Sequence, residues 1–249
     1  MPDRAPRLPW CPLRRLLRGA LVTVCLLPAS LTSAQQAVDA RYEGETTRYP
    51  HGVLGDEVEY DTLAVTLSDG RILRRRWETP LVFEDIAPRL WDVTGDGRPE
   101  VVTVESHEAR GARLAIWTVE NGDLRPLAAT PFIGQRFRWL APIGAVDLDG
   151  DGHVEIAYVD RPHLAKTLRV WRYRDGGLSE VAALAGFSNH RIGWDYIVGG
   201  LRDCGEGPEM VLPSGDWRHL MIVRFDGKLE RWASDPYSPE MAEALLACD

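Results

Sequence analysis

Residues 147–155 read Asp-Leu-Asp-Gly-Asp-Gly-His-Val-Glu, with carboxylates at the first, third, fifth and ninth positions. A related nonapeptide occupies residues 92–100, and a degraded, shorter copy occupies residues 203–209. Each copy runs into a short apolar segment whose composition favours a β-strand. The acidic loop is therefore one part of a repeating unit of about 55 residues, a period typical of repeat architectures.

A second marker recurs at nearly the same period. Tight-turn dipeptides stand between strand-like runs at Asp69-Gly70, Asn121-Gly122, Asp175-Gly176 and Asp226-Gly227. Such dipeptides favour hairpins because their tight turns need positive φ angles. Each unit then consists of a strand, an acidic loop, a second strand, a connection, a third strand, a tight turn and a fourth strand.

Four short antiparallel strands per unit are typical of a β-propeller blade. The sequence predicts an all-β fold, a small β-propeller of about four four-stranded units spanning residues 35–249, with an incomplete first unit. Strands opening the third and fourth units are expected at 139–146 and 194–199. A short helix is expected at 239–247, N-capped by Ser238.

Tryptophans recur in step with the units, and two interpretations of them are open. Trp117 and Trp171 are 54 residues apart, and Trp139 and Trp194 are 55 apart. They could stack on a cofactor. Recurrence at the repeat period favours aromatic packing between neighbouring sheets instead.

Residues 1–34 have the order of a secretory signal peptide. Five arginines precede an apolar run at 19–27, and small residues follow at 32–34. The apolar run is shorter than the roughly 20 residues of a permanent span, and no later segment comes close. We expect cleavage after Ala34 and export to the periplasm or the extracellular space. A twin-arginine signal at Arg14-Arg15 and a lipid-modified Cys25 are the two variants.

Cleavage would make the chain strongly acidic. Lys+Arg falls from 29 to 24 and Asp+Glu from 37 to 36, which gives a net charge of −12. Such a protein repels phosphate backbones, so nucleic acid is not an expected partner, whereas divalent cations are. Only Cys204 and Cys248 remain after cleavage. Two cysteines in an exported chain usually pair, and the alternative is two buried thiols.

The acidic loop suits calcium, which takes about six to eight oxygen ligands in a flexible shell. Gly150 and Gly152 allow the backbone to curve around an ion. Four carboxylates this close would repel one another without a cation. The predicted ligands are Asp147, Asp149, Asp151, the carbonyl of His153, and Glu155.

These loops, their place between two strands and their recurrence resemble the FG-GAP/VCBS repeats that build the integrin α-subunit propeller. The resemblance implies calcium bound within a blade at 147–155. It implies a weaker site whose ligands are Asp92, Thr94, Asp96, the carbonyl of Arg98, and Glu100. The copy at 203–209 is one residue shorter, and we expect no metal there. Seven blades form the integrin ring, but this chain has room for about four.

The opposite face of such a fold would carry His51, His107, His163 and His219, which are spaced 56 residues apart, together with Arg136, Arg138, His190 and Arg191. A shared transition metal, a cationic pocket for an acidic or sugar ligand, and ordinary loop bracing are the open interpretations. The candidate ligand-binding residues are Arg136, His190, Arg191, His107 and His163.

No Gly-x-Ser-x-Gly, His-Glu-x-x-His or phosphate-loop motif occurs. The favoured function is a calcium-binding interaction module for a protein or glycan. The alternative is a hydrolase or lyase working at the His/Arg face.

Overall fold

The computed structural model describes residues 35–249, so the predicted signal peptide lies outside the described residues. The described chain contains sixteen strands and one helix, and every strand pairing is antiparallel. The predicted all-β class is thus confirmed. Among residues 35–249 no helix combines the length and apolar character needed to cross a bilayer.

The strands follow the chain in four groups, called the first to fourth sheets, and hydrogen bonds through β4 join the first two groups into one eight-stranded sheet. The first sheet contains β1 (Ala37–Thr46), β2 (Glu59–Leu67) and β3 (Ile72–Arg76), and the short β4 (Leu81–Phe83) links it to the second. The second sheet contains β5 (Arg89–Trp91), β6 (Glu100–His107), β7 (Gly111–Glu120) and β8 (Asp123–Ala129). The third contains β9 (Leu140–Val146), β10 (Glu155–Asp160), β11 (Thr167–Arg174) and β12 (Gly177–Ala185). The fourth contains β13 (Gly200–Asp203), β14 (Pro208–Pro213), β15 (His219–Phe225) and β16 (Leu229–Pro236).

The predicted tight turns join the last two strands of each sheet. Both central residues have positive φ at Asn121 (53°) and Gly122 (79°), and again at Asp175 (51°) and Gly176 (77°). Asparagine, aspartate and glycine tolerate this backbone better than other residues do, and its twist matches that of the flanking strands. The acidic loops join the first two strands of the second, third and fourth sheets, as the repeat predicts.

Apolar side chains fill the space between each pair of neighbouring sheets. Trp117 packs between the first and second sheets, and Trp139 and Trp171 lie between the second and third. Val170 and Val223 belong to the core between the third and fourth. Central strands such as β10 are buried along their whole length because both of their faces are covered. This position explains the spacing of Trp117 and Trp171, whereas Trp194 lies in the loop before β13 and packs against Trp217.

The two ends of this array are finished differently. Helix α1 (Pro239–Leu246) covers the fourth sheet through Ala242 and Leu245, and Ser238 Oγ caps it by accepting the Met241 N–H at 3.1 Å. The outer face of the first sheet is instead polar, with an Arg74–Glu43 pair at 2.8 Å. Within residues 35–249 no apolar core joins the fourth sheet to the first, so a closed ring is not found. Terminal units of repeat arrays need such polar or capped faces.

One predicted strand is wrong. Residues 194–199 form a loop, and the first strand of the fourth sheet begins only at Gly200. Positive φ angles at Gly193 (89°) and Gly199 (97°) bend the chain at both ends of this segment. Its backbone pairs within the loop, where Trp194 N–H donates to Arg191 O at 3.0 Å and Val198 N–H donates to Asn189 O at 2.8 Å. The first sheet has three strands that follow the chain plus the linking β4, so the first unit is incomplete, as expected.

Candidate functional site

The loop at 147–155 folds around its own carboxylates. Asp147 accepts the N–H groups of Gly150 (2.8 Å) and Gly152 (2.9 Å), and Glu155 accepts the N–H of Leu148 (2.8 Å). Gly150 and Gly152 have φ of 74° and 86°, and an added Cβ would meet nothing within 4 Å. The glycines are therefore needed for backbone conformation and not for space.

Three carboxylates of this loop converge. One oxygen from each of Asp147, Asp149 and Asp151 lies within 4.8 Å of the other two. Glu155, the last residue of the loop, is fully buried. Burial raises the pKa of Glu155, and the hydrogen bond from Arg172 opposes that rise. Hard oxygen donors held this close are the donor set that calcium prefers, so the residues fit the predicted ion.

Arg172 was not among the predicted site residues, although it touches three of the carboxylates. Its guanidinium contacts Asp149 at 2.5 Å, Asp151 at 2.8 Å and Glu155 at 2.5 Å. The contact follows from strand register, because Arg172 on β11 lies directly opposite Glu155 on β10. One guanidinium leaves three of four negative charges uncompensated, so the argument for a cation still holds.

The loop at 92–100 repeats the same backbone pattern. Asp92 accepts the N–H groups of Gly95 and Gly97, each at 2.8 Å, and Glu100 accepts the N–H groups of Val93 and Thr94 at 2.9 and 3.1 Å.

Its carboxylates are less convergent, because Asp96 turns toward Arg98 at 2.5 Å. Val101 on β6 pairs with Trp117 on β7, so the preceding residue, Glu100, lies opposite Thr118. Thr118 therefore occupies the position that Arg172 has in the third sheet. Thr94 Oγ lies 3.5 Å from Glu100. No guanidinium from the neighbouring strand reaches this loop in the part of the chain that is described.

The loop at 203–209 is held by other means. Arg202 and Arg224 both bind Glu209, at 2.7 and 2.6 Å. Cys204 forms a disulfide with Cys248, which ties the loop to the end of α1, as the cysteine count predicted. Two arginine side chains and a disulfide therefore hold this loop.

The opposite ends of the sheets carry a pocket of about 260 Å³ between four loops. The loops are β1–β2, β8–β9, β10–β11 and β12–β13, all on the side away from the acidic loops. Its lining residues are His51, Val53, Phe137, Arg138, Trp139, Arg161, His163, Leu164 and Ile192. The β1–β2 loop reaches across to the β12–β13 loop, where Gly193 N donates to Val53 O at 3.0 Å.

Two histidines of the pocket are oriented by hydrogen bonds to residues outside its lining. His51 Nδ1 hydrogen-bonds Glu84, which is fully buried and also accepts the Ser106 hydroxyl. Burial raises the pKa of Glu84, and His51 opposes the rise. His163 Nε2 lies 3.0 Å from His190 Nδ1, and His190 Nε2 lies 2.8 Å from Trp194 O.

A carbonyl oxygen only accepts, so His190 donates from Nε2 and receives a hydrogen bond from His163 Nε2. Nδ1 of His163 is then unprotonated and can accept. Burial lowers the pKa of His163 to about 4, with the neighbouring His190 acting in the same direction. Burial also lowers the pKa of His190. Both rings are therefore neutral at pH 7.

The remaining candidate ligand residues lie outside this pocket. Arg136 is exposed above Phe137 and lies 3.9 Å from Glu108, and Arg191 stacks on Trp217 at 4.5 Å. His107 packs edge-on against Phe132, and burial lowers its pKa. Equal spacing thus brings together His51 and His163 but not His107 or His219. Arg161 is a pocket residue that the sequence pattern did not single out.

Comparison with known proteins addresses the repeat directly. A family model described as an FG-GAP-like repeat matches residues 92–158, from the first acidic loop through most of β10. No curated protein matches the chain significantly. The family match covers two acidic loops and the strands between them, and it confirms the resemblance to FG-GAP repeats at residues 92–158.

Proposed function

We propose that this protein is an exported, calcium-binding interaction module built from propeller-type blades, and that it binds a protein or glycan on the face opposite its acidic loops. The observation that carries the proposal is the convergence of Asp147, Asp149 and Asp151 within 4.8 Å. FG-GAP-like repeats are interaction modules, and the matched segment contains this loop.

Calcium would be held at 147–155 by the three aspartates, the carbonyl of His153 and Glu155. The ion would neutralise the carboxylates and stiffen the turn between β9 and β10, with no chemical step of its own. The second site would use Asp92, Thr94, Asp96, the carbonyl of Arg98, and Glu100. Binding at either site stabilises the native state in proportion to the logarithm of the calcium concentration.

Export is part of the proposal. A disulfide between Cys204 and Cys248 is expected to persist in an oxidising compartment such as the periplasm or the extracellular space. The basic and apolar order of residues 1–34 is consistent with the same destination.

A hydrolase or lyase remains the second candidate because of His51. A buried carboxylate that orients an imidazole in a pocket is an arrangement used by general bases. The pocket lining of the described chain offers no serine, cysteine or threonine as a nucleophile beside it. A general base that activates water needs no such nucleophile, so binding is favoured on the match to an FG-GAP-like repeat.

Calcium titration calorimetry tests the proposal. We expect saturable binding, and we expect a chelator to lower the melting temperature. Asp149→Ala should remove most of that sensitivity, while the exposed Asp123→Ala, which deletes the same charge elsewhere, should retain it. No heat of binding at millimolar calcium, together with an unchanged melt, would reject calcium as the ligand.

A further inference from the structure

We propose that the pocket between the β1–β2, β8–β9, β10–β11 and β12–β13 loops binds a sugar acid, a monosaccharide-sized polyol carrying a carboxylate or phosphate. This inference deepens the proposed function, on which it rests, by naming the ligand class of the face opposite the acidic loops. The pocket volume of about 260 Å³ suits a ligand smaller than a typical drug.

Arg138 supplies positive charge without a carboxylate to balance it. No acidic group lies within salt-bridge distance of it in residues 35–249. One of its N–H groups donates to Phe137 O at 2.8 Å, and the guanidinium has four more. An anionic ligand would accept hydrogen bonds from the remaining N–H groups of Arg138, and such charged hydrogen bonds are stronger than neutral ones.

Arg161 stands on another side of the same pocket. It pairs with Asp160 at 2.8 Å, but Asp160 also binds Arg169 at 2.9 Å. Arg169 has a second partner in Glu180 at 2.7 Å, so two carboxylates balance the two guanidinium groups. Arg161 binds Asp160 through Nε and Nη2 and offers the pocket the N–H groups of its Nη1. Arg138 can bind carboxylate or phosphate oxygens in a forked geometry, and Arg161 can add a contact through its remaining nitrogen.

A hydroxyl group suits the histidine side. His163 is held neutral with an unprotonated Nδ1 by the chain of hydrogen bonds through His190 to Trp194 O. An acceptor of this kind recognises O–H donors and does not recognise a second anionic oxygen. The combination of arginine donors with a neutral imidazole acceptor selects for a ligand with both an oxyanion and hydroxyl groups.

The walls also offer an apolar surface for a ring. Phe137 is stacked with His51 at a centroid distance of 5.1 Å, and Leu164 and Ile192 at the rim are 63% and 70% exposed. Apolar walls around a few polar groups are the usual lining of a small-ligand pocket.

The backbone of the pocket is strained in two places. Phe137 and Arg161 both line it and have φ of 55° and 47°, a region that non-glycine residues seldom adopt. Such conformations concentrate at binding sites, where the surrounding structure holds them. Here the Phe137 N–H donates to Tyr49 Oη at 2.8 Å, and the Arg161 N–H donates to Trp139 O at 3.0 Å. The pocket is therefore preformed.

Calorimetry with three sugars tests the inference on the calcium-saturated full-length mature chain. Glucuronate carries a carboxylate, glucose 6-phosphate carries a phosphate, and glucose is the neutral control. We expect at least one acid to bind roughly tenfold or more tightly than glucose, as a charged hydrogen bond predicts. Preference for glucuronate identifies a carboxylate ligand, and preference for glucose 6-phosphate identifies a phosphate ligand.

Two variants locate the binding. Arg138→Met should weaken binding of the preferred acid by roughly tenfold, whereas Arg174→Met, the same charge change at an exposed residue beside the β11–β12 turn, should alter it less than about twofold. If Arg138→Met fails to fold, Leu164→Glu places a negative charge on an exposed rim position and should weaken binding similarly. Equal binding of all three sugars, or no binding of any, overturns the inference. Calcium stabilisation measured in the same samples reports separately on the proposed function.

Discussion

Replacing Arg172 with methionine tests how far the protein neutralises its own acidic loop. The guanidinium contacts Asp149, Asp151 and Glu155, so a calcium ion in the loop would meet a positive charge at about 5 Å. At the dielectric constant of water, a divalent and a monovalent charge at that distance repel by about 1.7 kcal/mol. Arg172→Met should therefore bind calcium at 147–155 roughly tenfold more tightly or better.

The same variant should be less stable without metal. Glu155 is fully buried, and Arg172 Nε is its only charged partner among the described residues. Losing a charged hydrogen bond to a buried carboxylate costs about 1–3 kcal/mol. The two effects have opposite signs, so the calcium-induced rise in melting temperature should be larger in Arg172→Met than in the parent.

Calorimetry and thermal melts in an Asp92→Ala background measure calcium binding at 147–155 alone, because the loop at 92–100 then lacks a principal ligand. The reciprocal variant, Thr118→Arg, places a guanidinium at the equivalent position beside Glu100 and should weaken calcium binding at 92–100. If Arg172→Met binds calcium no more tightly and is as stable as the parent in chelator, the reasoning about Arg172 is refuted.

Three further perturbations test the fold and the pocket. Gly144→Ala would put a Cβ 2.4 Å from Leu201 Cδ1 between the third and fourth sheets. Urea unfolding should show that the free energy of unfolding falls by about 1–3 kcal/mol and is partly restored by adding Leu201→Ala. An unchanged urea midpoint would contradict this packing. Replacing Cys204 and Cys248 with serine opens a crosslink across a separation of 44 residues and should cost about 3–4 kcal/mol in urea; a cost near zero would mean that α1 packing alone holds the terminus. His163 has a pKa of about 4 when folded and 6.5 ordinarily, so the unfolded chain takes up its proton first and stability falls as pH decreases from 6.5 toward 4. Because His163 is partly exposed, we expect about 1–2 kcal/mol, and His163→Asn should flatten the slope of urea midpoints while the exposed His219→Asn should not.

The repeat could be predicted from sequence because its markers are local. Asp-Gly and Asn-Gly turns set strand pairs, and the acidic nonapeptide determines the loop before β10. The apolar residues of 194–199 satisfy a strand pattern and so predict a strand, but Gly193 and Gly199 at its ends adopt positive φ. Trp194 instead packs against Trp217 in the apolar cluster beside α1, and Tyr196 is 45% exposed.

The pocket could be predicted only in part, because it depends on how far each loop reaches. His51 lies in the long β1–β2 loop, which crosses to Gly193, and so lines the same pocket as His163 although the two are 112 residues apart. His107 sits at the same spacing, but a tight connection to β7 leaves it against Phe132. Distance along the chain fixes the unit in which a residue lies, whereas loop length fixes its neighbours.

The three acidic loops solve one electrostatic problem in different ways. The loop at 92–100 has three carboxylates and its own Arg98, and the loop at 147–155 has four carboxylates opposed by Arg172. The loop at 203–209 has three carboxylates opposed by Arg202 and Arg224, and a disulfide fixes it. The net negative charge left after counting these arginines is therefore greatest at 147–155, smaller at 92–100 and smallest at 203–209. Calcium should therefore bind more tightly at 147–155 than at 92–100 and should not bind at 203–209, because the uncompensated carboxylates supply both the ligands and the field that attracts the ion.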